Sequence, residues 1–217
     1  MKFFSAIFLV VASIWFSDGA FKQDCNKRRC LIRKNILKFF LIGDWGGLPI
    51  WPYFSPAQVT VARAMGELAY NESTDFQVSM GDNFYMVGVK SEYDDRFAAT
   101  FERVYTHIVL RRTPWYILAG NHDHNGNTTA QLAYSGKSIR WTFPRLFYVI
   151  RYQLKNGTKI DIVMIDTILL CGQTRDGKFD GVLHYLMASS SKPKGPKDRH
   201  LAEKRWKWIE NQLSNST

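Results

Sequence analysis

The sequence predicts an α/β fold, and three observations carry that prediction. Three short apolar runs each end at a glycine and continue into a residue with a metal-capable oxygen. Phe39 to Gly43 leads to Asp44, Phe76 to Gly81 leads to Asp82, and Trp115 to Gly120 leads to Asn121. The intervals between these oxygens are 38 and 39 residues, and each interval contains a segment of helical period. Buried strands rich in aromatic and branched residues, separated by helices, read as a parallel sheet whose loops converge at the carboxyl ends of the strands.

The central stretch is Ser79-Met80-Gly81-Asp82-Asn83-Phe84-Tyr85. Gly81 permits a tight turn at the strand end, which lets Asp82 and Tyr85 point into one pocket. Asp82 has two oxygens and can bridge two cations. Tyr85 offers a phenolate, a hard anionic oxygen suited to a trivalent ion. The bland alternative is an aspartate capping a turn with a tyrosine packed beneath it. Repetition of the same device at Asp44-Trp45-Gly46-Gly47 and at Asn121-His122-Asp123-His124 argues against that alternative.

In this order the segments Gly43-Asp44-Trp45-Gly46-Gly47, Gly81-Asp82-Asn83-Phe84-Tyr85 and Gly120-Asn121-His122-Asp123-His124 resemble the metallophosphoesterases. More narrowly they are similar to the purple acid phosphatases of the tartrate-resistant type 5 class, from about Ile36 to Cys171 and again over the last helix. Other branches of the superfamily carry a histidine ligand where this chain has Gly46, and here Tyr85 supplies a phenolate instead. The resemblance implies a metallophosphoesterase-type β-sandwich flanked by helices. It implies a dinuclear centre in which Asp44, Asp82 and Tyr85 bind Fe(III). Asp82 and the carbonyl oxygen of Asn121 would bind a divalent ion: iron, zinc or manganese. His122 is the implied catalytic group, assisting the phosphoryl oxygens or the leaving alcohol while hydroxide held by the cations attacks. The implied substrates are phosphate monoesters, among them phosphoproteins or nucleotides. A nuclease or phosphodiesterase on the same scaffold is disfavoured by Gly46 and Tyr85, so no nucleic-acid partner is expected.

The family completes its centre with a histidine in a Val-x-x-His segment and two more in a Gly-His-x-His segment, and neither motif occurs here. His184 and His200 stand in the wrong places to substitute. The last part of the fold is therefore expected to be missing, with weak metal binding and little turnover. The alternative is a secreted, catalytically inactive basic protein that binds polyanions, consistent with a formal charge of +10 over 217 residues.

Residues 1–19 read as a secretory signal: Lys2, an apolar run from Phe3 to Phe16, then Ser17-Asp18-Gly19. The run falls short of the ~17 residues that a spanning helix needs, so no membrane association is expected once it is removed. Residues 20–35 read as an exposed basic segment and 36–217 as the enzyme domain, a secreted or lysosomal monomer. Cys25 and Cys30 can pair, which leaves Cys171 over. The resemblance implies a bridge from Cys171 to a cysteine further on, and this sequence has none there. Zinc held by the three cysteines fits poorly, because no second ligand pair lies near Cys171.

Ser55-Pro56 opens a helix whose core face is expected at Val61, Met65 and Leu68. A second helix is expected to bury Phe97, Phe101 and Val104, with Asp94 and Asp95 favouring its positive end. His107 reads as a surface or capping residue, His124 as a loop hydrogen-bonder and Asp166 as structural. A hairpin is expected around Asn156-Gly157. Residues 172–197 read as a long exposed loop open to proteases, which the resemblance implies lies over the site. Asp198 caps a final helix with an expected stripe of Trp206, Ile209 and Leu213. Of four Asn-x-Ser/Thr triplets, Asn127 and Asn156 stand in turn-rich positions and are the expected glycosylation sites.

Overall fold

The computed structural model describes residues 24–25, 29–173 and 193–215. The secretory segment and most of the long loop expected at 172–197 lie outside these residues. Two four-stranded sheets form the frame. One is wholly parallel, in the order β3 (Phe39–Ile42), β4 (Phe76–Ser79), β5 (Trp115–Ile117) and β6 (Trp141–Thr142). The other runs β1 (Asp24–Cys25), β2 (Cys30–Ile32), β7 (Tyr148–Leu154) and β8 (Lys159–Met164). β7 and β8 form the hairpin expected around Asn156-Gly157, with Gly157 in the left-handed region at φ 88°.

Period-two alternation assigns the two faces of the parallel sheet. Phe76 and Tyr116 turn toward the second sheet, where Phe76 stacks on Tyr152 at 5.0 Å and the Tyr116 and Tyr152 hydroxyls meet at 2.9 Å. Tyr148 donates its hydroxyl to the Ile117 carbonyl at 2.9 Å. On the opposite face Trp115 packs with Trp45, Phe101 and Tyr105 in an aromatic layer that also holds Phe84, Phe97 and Trp141. Offset and edge-on ring pairs of this kind add about 0.5–1.5 kcal/mol each beyond the area they bury.

The helix α1 (Pro56–Glu72) begins where the sequence places it, with Ser55 accepting from Gln58 N and Pro56 in the first turn. Its core face differs from expectation. Met65 packs against the core in part, but Val61 and Leu68 are both 48% exposed, whereas Gln58, Ala62, Gly66 and Ala69 are buried. Small residues let the helix backbone approach its neighbours closely: a Cβ on Gly66 would strike the imidazole of His107, which caps α2 (Ile108–Arg112) through Val109 N. After the second motif a six-residue π-helix, Phe97–Glu102, buries Phe97 and Phe101 as expected. Asp94 stands at the start of this helical segment as expected, its Oδ1 accepting Arg96 N at 3.1 Å, and its carboxylate also binds the Arg96 guanidinium at 3.1 Å and Lys90 N at 2.9 Å.

The basic segment set apart at 20–35 is built into the sheet over its second half. β2 pairs in parallel with β7, and Arg29 reaches Asp161 at 2.6 Å and the Tyr152 carbonyl at 2.9 Å. Cys30 is disulfide-bonded and stands opposite Cys25 in the strand register; Cys171 is free and exposed. The final helix α6 (Arg199–Ser214) is capped by Asp198. Its buried face is Ala202 and Ile209 with Trp208 alongside; of the expected stripe Ile209 is buried, while Trp206 is 47% and Leu213 62% exposed. No described helix is long and apolar enough to cross a membrane.

Candidate metal centre

The three motif loops meet at the carboxyl ends of β3, β4 and β5. Asp44 and Asp82 occupy equivalent positions and share an unusual backbone: both are in the left-handed region, at φ 58° and 52°. Non-glycine residues adopt this conformation at a cost, and such residues collect at functional sites. Main-chain bonds lock the two turns together, with Asp44 N donating to Gly81 O at 3.2 Å and Met80 N to Ile42 O at 2.8 Å. The glycines are needed for contact: a Cβ on Gly120 would strike the Asp82 carboxylate, and one on Gly81, at φ 109°, would meet the Gly120 backbone.

Within this corner the Tyr85 hydroxyl donates to Asp44 Oδ1 at 2.7 Å. His122 N donates to Asp82 Oδ1 at 3.1 Å, and His122 Nε2 stands 4.0 Å from Asp82 Oδ2. The rings of Tyr85 and His122 meet edge-on at 4.9 Å. Asp82 is pushed above the ordinary carboxylate range by burial, with the Asp44 charge adding to it against the opposing pull of His122 and Tyr85. Asn121 opens the short helix α3 (Asn121–His124), between two residues that both abut Asp82, and its carbonyl accepts from Gln173 Nε2 at 3.3 Å. The structure thus brings Asp44, Asp82, Tyr85 and His122 into direct company, and Asn121 to the same corner through its backbone.

His122 is buried, and its Nδ1 lies 2.6 Å from the Met86 carbonyl. A carbonyl only accepts, so Nδ1 carries the proton and Nε2 is the nitrogen left to face the site. Asp123 is the next residue of α3. Fully buried, it receives Gly120 N at 2.9 Å, Asn83 N at 3.1 Å and Gln131 Nε2 at 2.8 Å, and burial pushes its carboxyl up to about 6.

Sequence reasoning missed the polar layer beneath the site. Asn83 donates to the Leu118 carbonyl at 2.7 Å and accepts the Ser79 hydroxyl at 2.5 Å, while Ser79 Oγ also receives Trp45 Nε1 at 2.7 Å. One residue from each motif, Trp45, Asn83 and Asp123, is therefore tied below the oxygens that face outward. The available signal was Asn83 itself, a polar side chain directly after the central aspartate. His124 and Asp166, each read as structural, are partners at 2.6 Å, and Asp166 also caps the helix α5 (Thr167–Cys171).

The residues fit a hard-cation site: two carboxylates and a phenol converge on one corner, where burial disfavours the negative charge of Asp82. Among the described residues no group of three His, Cys, Asp or Glu side chains is arranged to hold a metal.

A profile of the calcineurin-like phosphoesterases matches residues 37–211, and the chain belongs to that family. Within it the chain is 40% identical to tartrate-resistant acid phosphatase type 5 of Homo sapiens over 179 residues, covering 82% of this chain and 52% of the relative. The Mus musculus protein of the same name is 39% identical over 82% of this chain and 51% of its own length. Purple acid phosphatase 7 of Arabidopsis thaliana is 36% identical over 65% of this chain and 43% of the relative. The chain spans about half the length of the curated relatives it matches. Among solved structures, GAP50, the anchor in the inner membrane complex of Plasmodium, superposes with a TM-score of 0.58 at 24% identity, over 82% of this chain and 50% of that one. That likeness establishes a shared fold.

Proposed function

We propose that the chain carries the oxygen-donor side of a purple acid phosphatase centre acting on phosphate monoesters, phosphoproteins or nucleotides among them. The observation that supports this most is the Tyr85 phenol lying on the Asp44 carboxylate at 2.7 Å, beside the partly buried Asp82. Asp44, Asp82 and Tyr85 would hold Fe(III); Asp82 and the Asn121 side-chain oxygen would hold iron, zinc or manganese. When bound, the pair supplies Lewis acidity that neutralises the phosphate oxygens and activates water.

The chain's own residues do the rest. The left-handed turns at Asp44 and Asp82 fix the donors before any ion arrives, which limits the reorganisation needed on binding. The Met86 carbonyl fixes the tautomer and orientation of His122. In its protonated form His122 presents Nε2–H toward the Asp82 side of the corner, where it can donate to a phosphoryl oxygen or give its proton to a departing alkoxide. In a secreted or lysosomal setting the exposed Asn156 and Asn127 would carry glycans. Asn156 lies in the β7–β8 turn, and Asn127 caps the helix α4 (Thr128–Tyr134) through its carbonyl oxygen, with its amide nitrogen 3.2 Å from the Lys90 carbonyl.

Titration with ferric iron, read by visible absorption and elemental analysis, tests the ligand assignment. The chain should develop a phenolate-to-iron charge-transfer band that Tyr85→Phe lacks. An unchanged band in that variant removes Tyr85 from the ligand set.

A further inference from the structure

At the end of the parallel sheet opposite the metal corner lies a cavity of about 620 Å³, a size usual for small-molecule sites. It is placed by residues that precede strands rather than follow them: Asp75 stands immediately before β4 and Pro114 immediately before β5. Its walls are aliphatic, from Leu31 and Ile32 of β2 and from Ile108 and Val109 at the start of α2. Tyr70, on the last turn of α1, is the one aromatic side chain lining it among the described residues. Leu31 and Ile108 remain 41% and 46% exposed, so apolar surface is open to solvent here.

The mouth is cationic. Arg33, Lys34 and Arg112 line the cavity against a single carboxylate, Asp75. Lys34 is already committed to Asp75 at 2.9 Å and to the Ser73 carbonyl at 2.8 Å. Arg33 and Arg112 are exposed, and neither has an ion pair among the described residues. Thr74, also in the lining, keeps a buried hydroxyl with no hydrogen-bond partner among the described residues. Aliphatic walls favour a flexible hydrocarbon over a planar ring, and guanidinium groups bind carboxylates through paired N–H donors.

We infer that this cavity binds an alkyl carboxylate, its chain between β2 and α2 and its head group on Arg33 and Arg112. The site is separate from the metal corner and does not depend on the phosphatase reading.

Sodium decanoate, titrated calorimetrically into the full chain below its micellar concentration, tests the inference, with neutral decanol as the comparison ligand. One saturable site is expected, with decanol at least about tenfold weaker, the scale of one lost charge-assisted contact. The Arg33→Gln, Arg112→Gln double variant should lose about tenfold for decanoate and nothing for decanol. Ile108→Asp, an exposed position that tolerates charge, should weaken both ligands. Tyr85→Phe should bind decanoate like the parent chain. Equal affinity for decanoate and decanol, or full decanoate affinity in the double variant with an unchanged circular dichroism spectrum, overturns the assignment. So does a loss of binding in Tyr85→Phe, which would move the ligand to the metal corner.

Discussion

Gly46 allows a sharp test of how the first and second motifs are held together. A Cβ at this position would lie 2.6 Å from Tyr85 N and 2.8 Å from both Asp82 O and Phe84 N. All three are backbone atoms of the central motif, so no side-chain rotation relieves the contact. Gly46 also accepts Tyr85 N at 3.1 Å, and the same shift would break that bond. Overpacking of a tight interior costs about 1–3 kcal/mol and a lost backbone hydrogen bond about 1 kcal/mol, so Gly46→Ala should destabilise by about 2–4 kcal/mol. With a urea m-value of ~2 kcal/mol/M, the midpoint should fall by about 1–2 M, read from tryptophan fluorescence with Trp45 as the adjacent reporter. Gly136→Ala is the control, since its Cβ would meet only Ala133 O at 3.4 Å, and it should shift the midpoint little. If the two variants unfold together, the close approach of the first and second motifs is not what requires glycine at 46.

Arg140 is buried and donates to the Tyr105 and Leu110 carbonyls at 2.6 and 3.1 Å while pairing with Glu102 at 2.8 Å; Arg140→Met should cost about 3–5 kcal/mol and lower the melting temperature by about 10 °C in a calorimetric scan. Burial alone would raise the Asp94 carboxyl, but Arg96 and the Lys90 and Arg96 N–H groups outweigh it and hold the carboxyl below its usual range. A depressed carboxylate contributes stability above its unfolded pKa of about 3.9 and loses it as pH falls through the lower folded value. Asp94→Asn should therefore cost about 1–2 kcal/mol at pH 7 and progressively less as pH falls through that lower folded value in urea unfolding across pH; a constant gap would show that the effect is not ionic.

The outward oxygens were legible because each follows an apolar run and a glycine, a local pattern that survives without knowledge of tertiary contacts. The helix faces were not. In α1 the large apolar residues Val61 and Leu68 mark the periodicity, yet the buried face is Ala62, Gly66 and Ala69, where small size matters more than hydrophobicity. The same error recurs in α6, where Trp206 stands outside while Ala202 is buried. The Ser79–Asn83–Asp123–Gln131 layer was illegible for another reason. Its members lie up to 52 residues apart, from Ser79 to Gln131, and polar partners at such separations leave no periodic trace.

The tyrosines between the two sheets bear on the Asp82 corner from a distance. Tyr116 and Tyr152 touch hydroxyl to hydroxyl, and Tyr148 bonds to Ile117, three residues before Gly120. Sliding one layer past the other would pull directly on the end of β5, and through it on the turn that carries Asn121 and His122. These hydroxyls act as dowels, so the placement of His122 is set partly by the layer on which it does not sit.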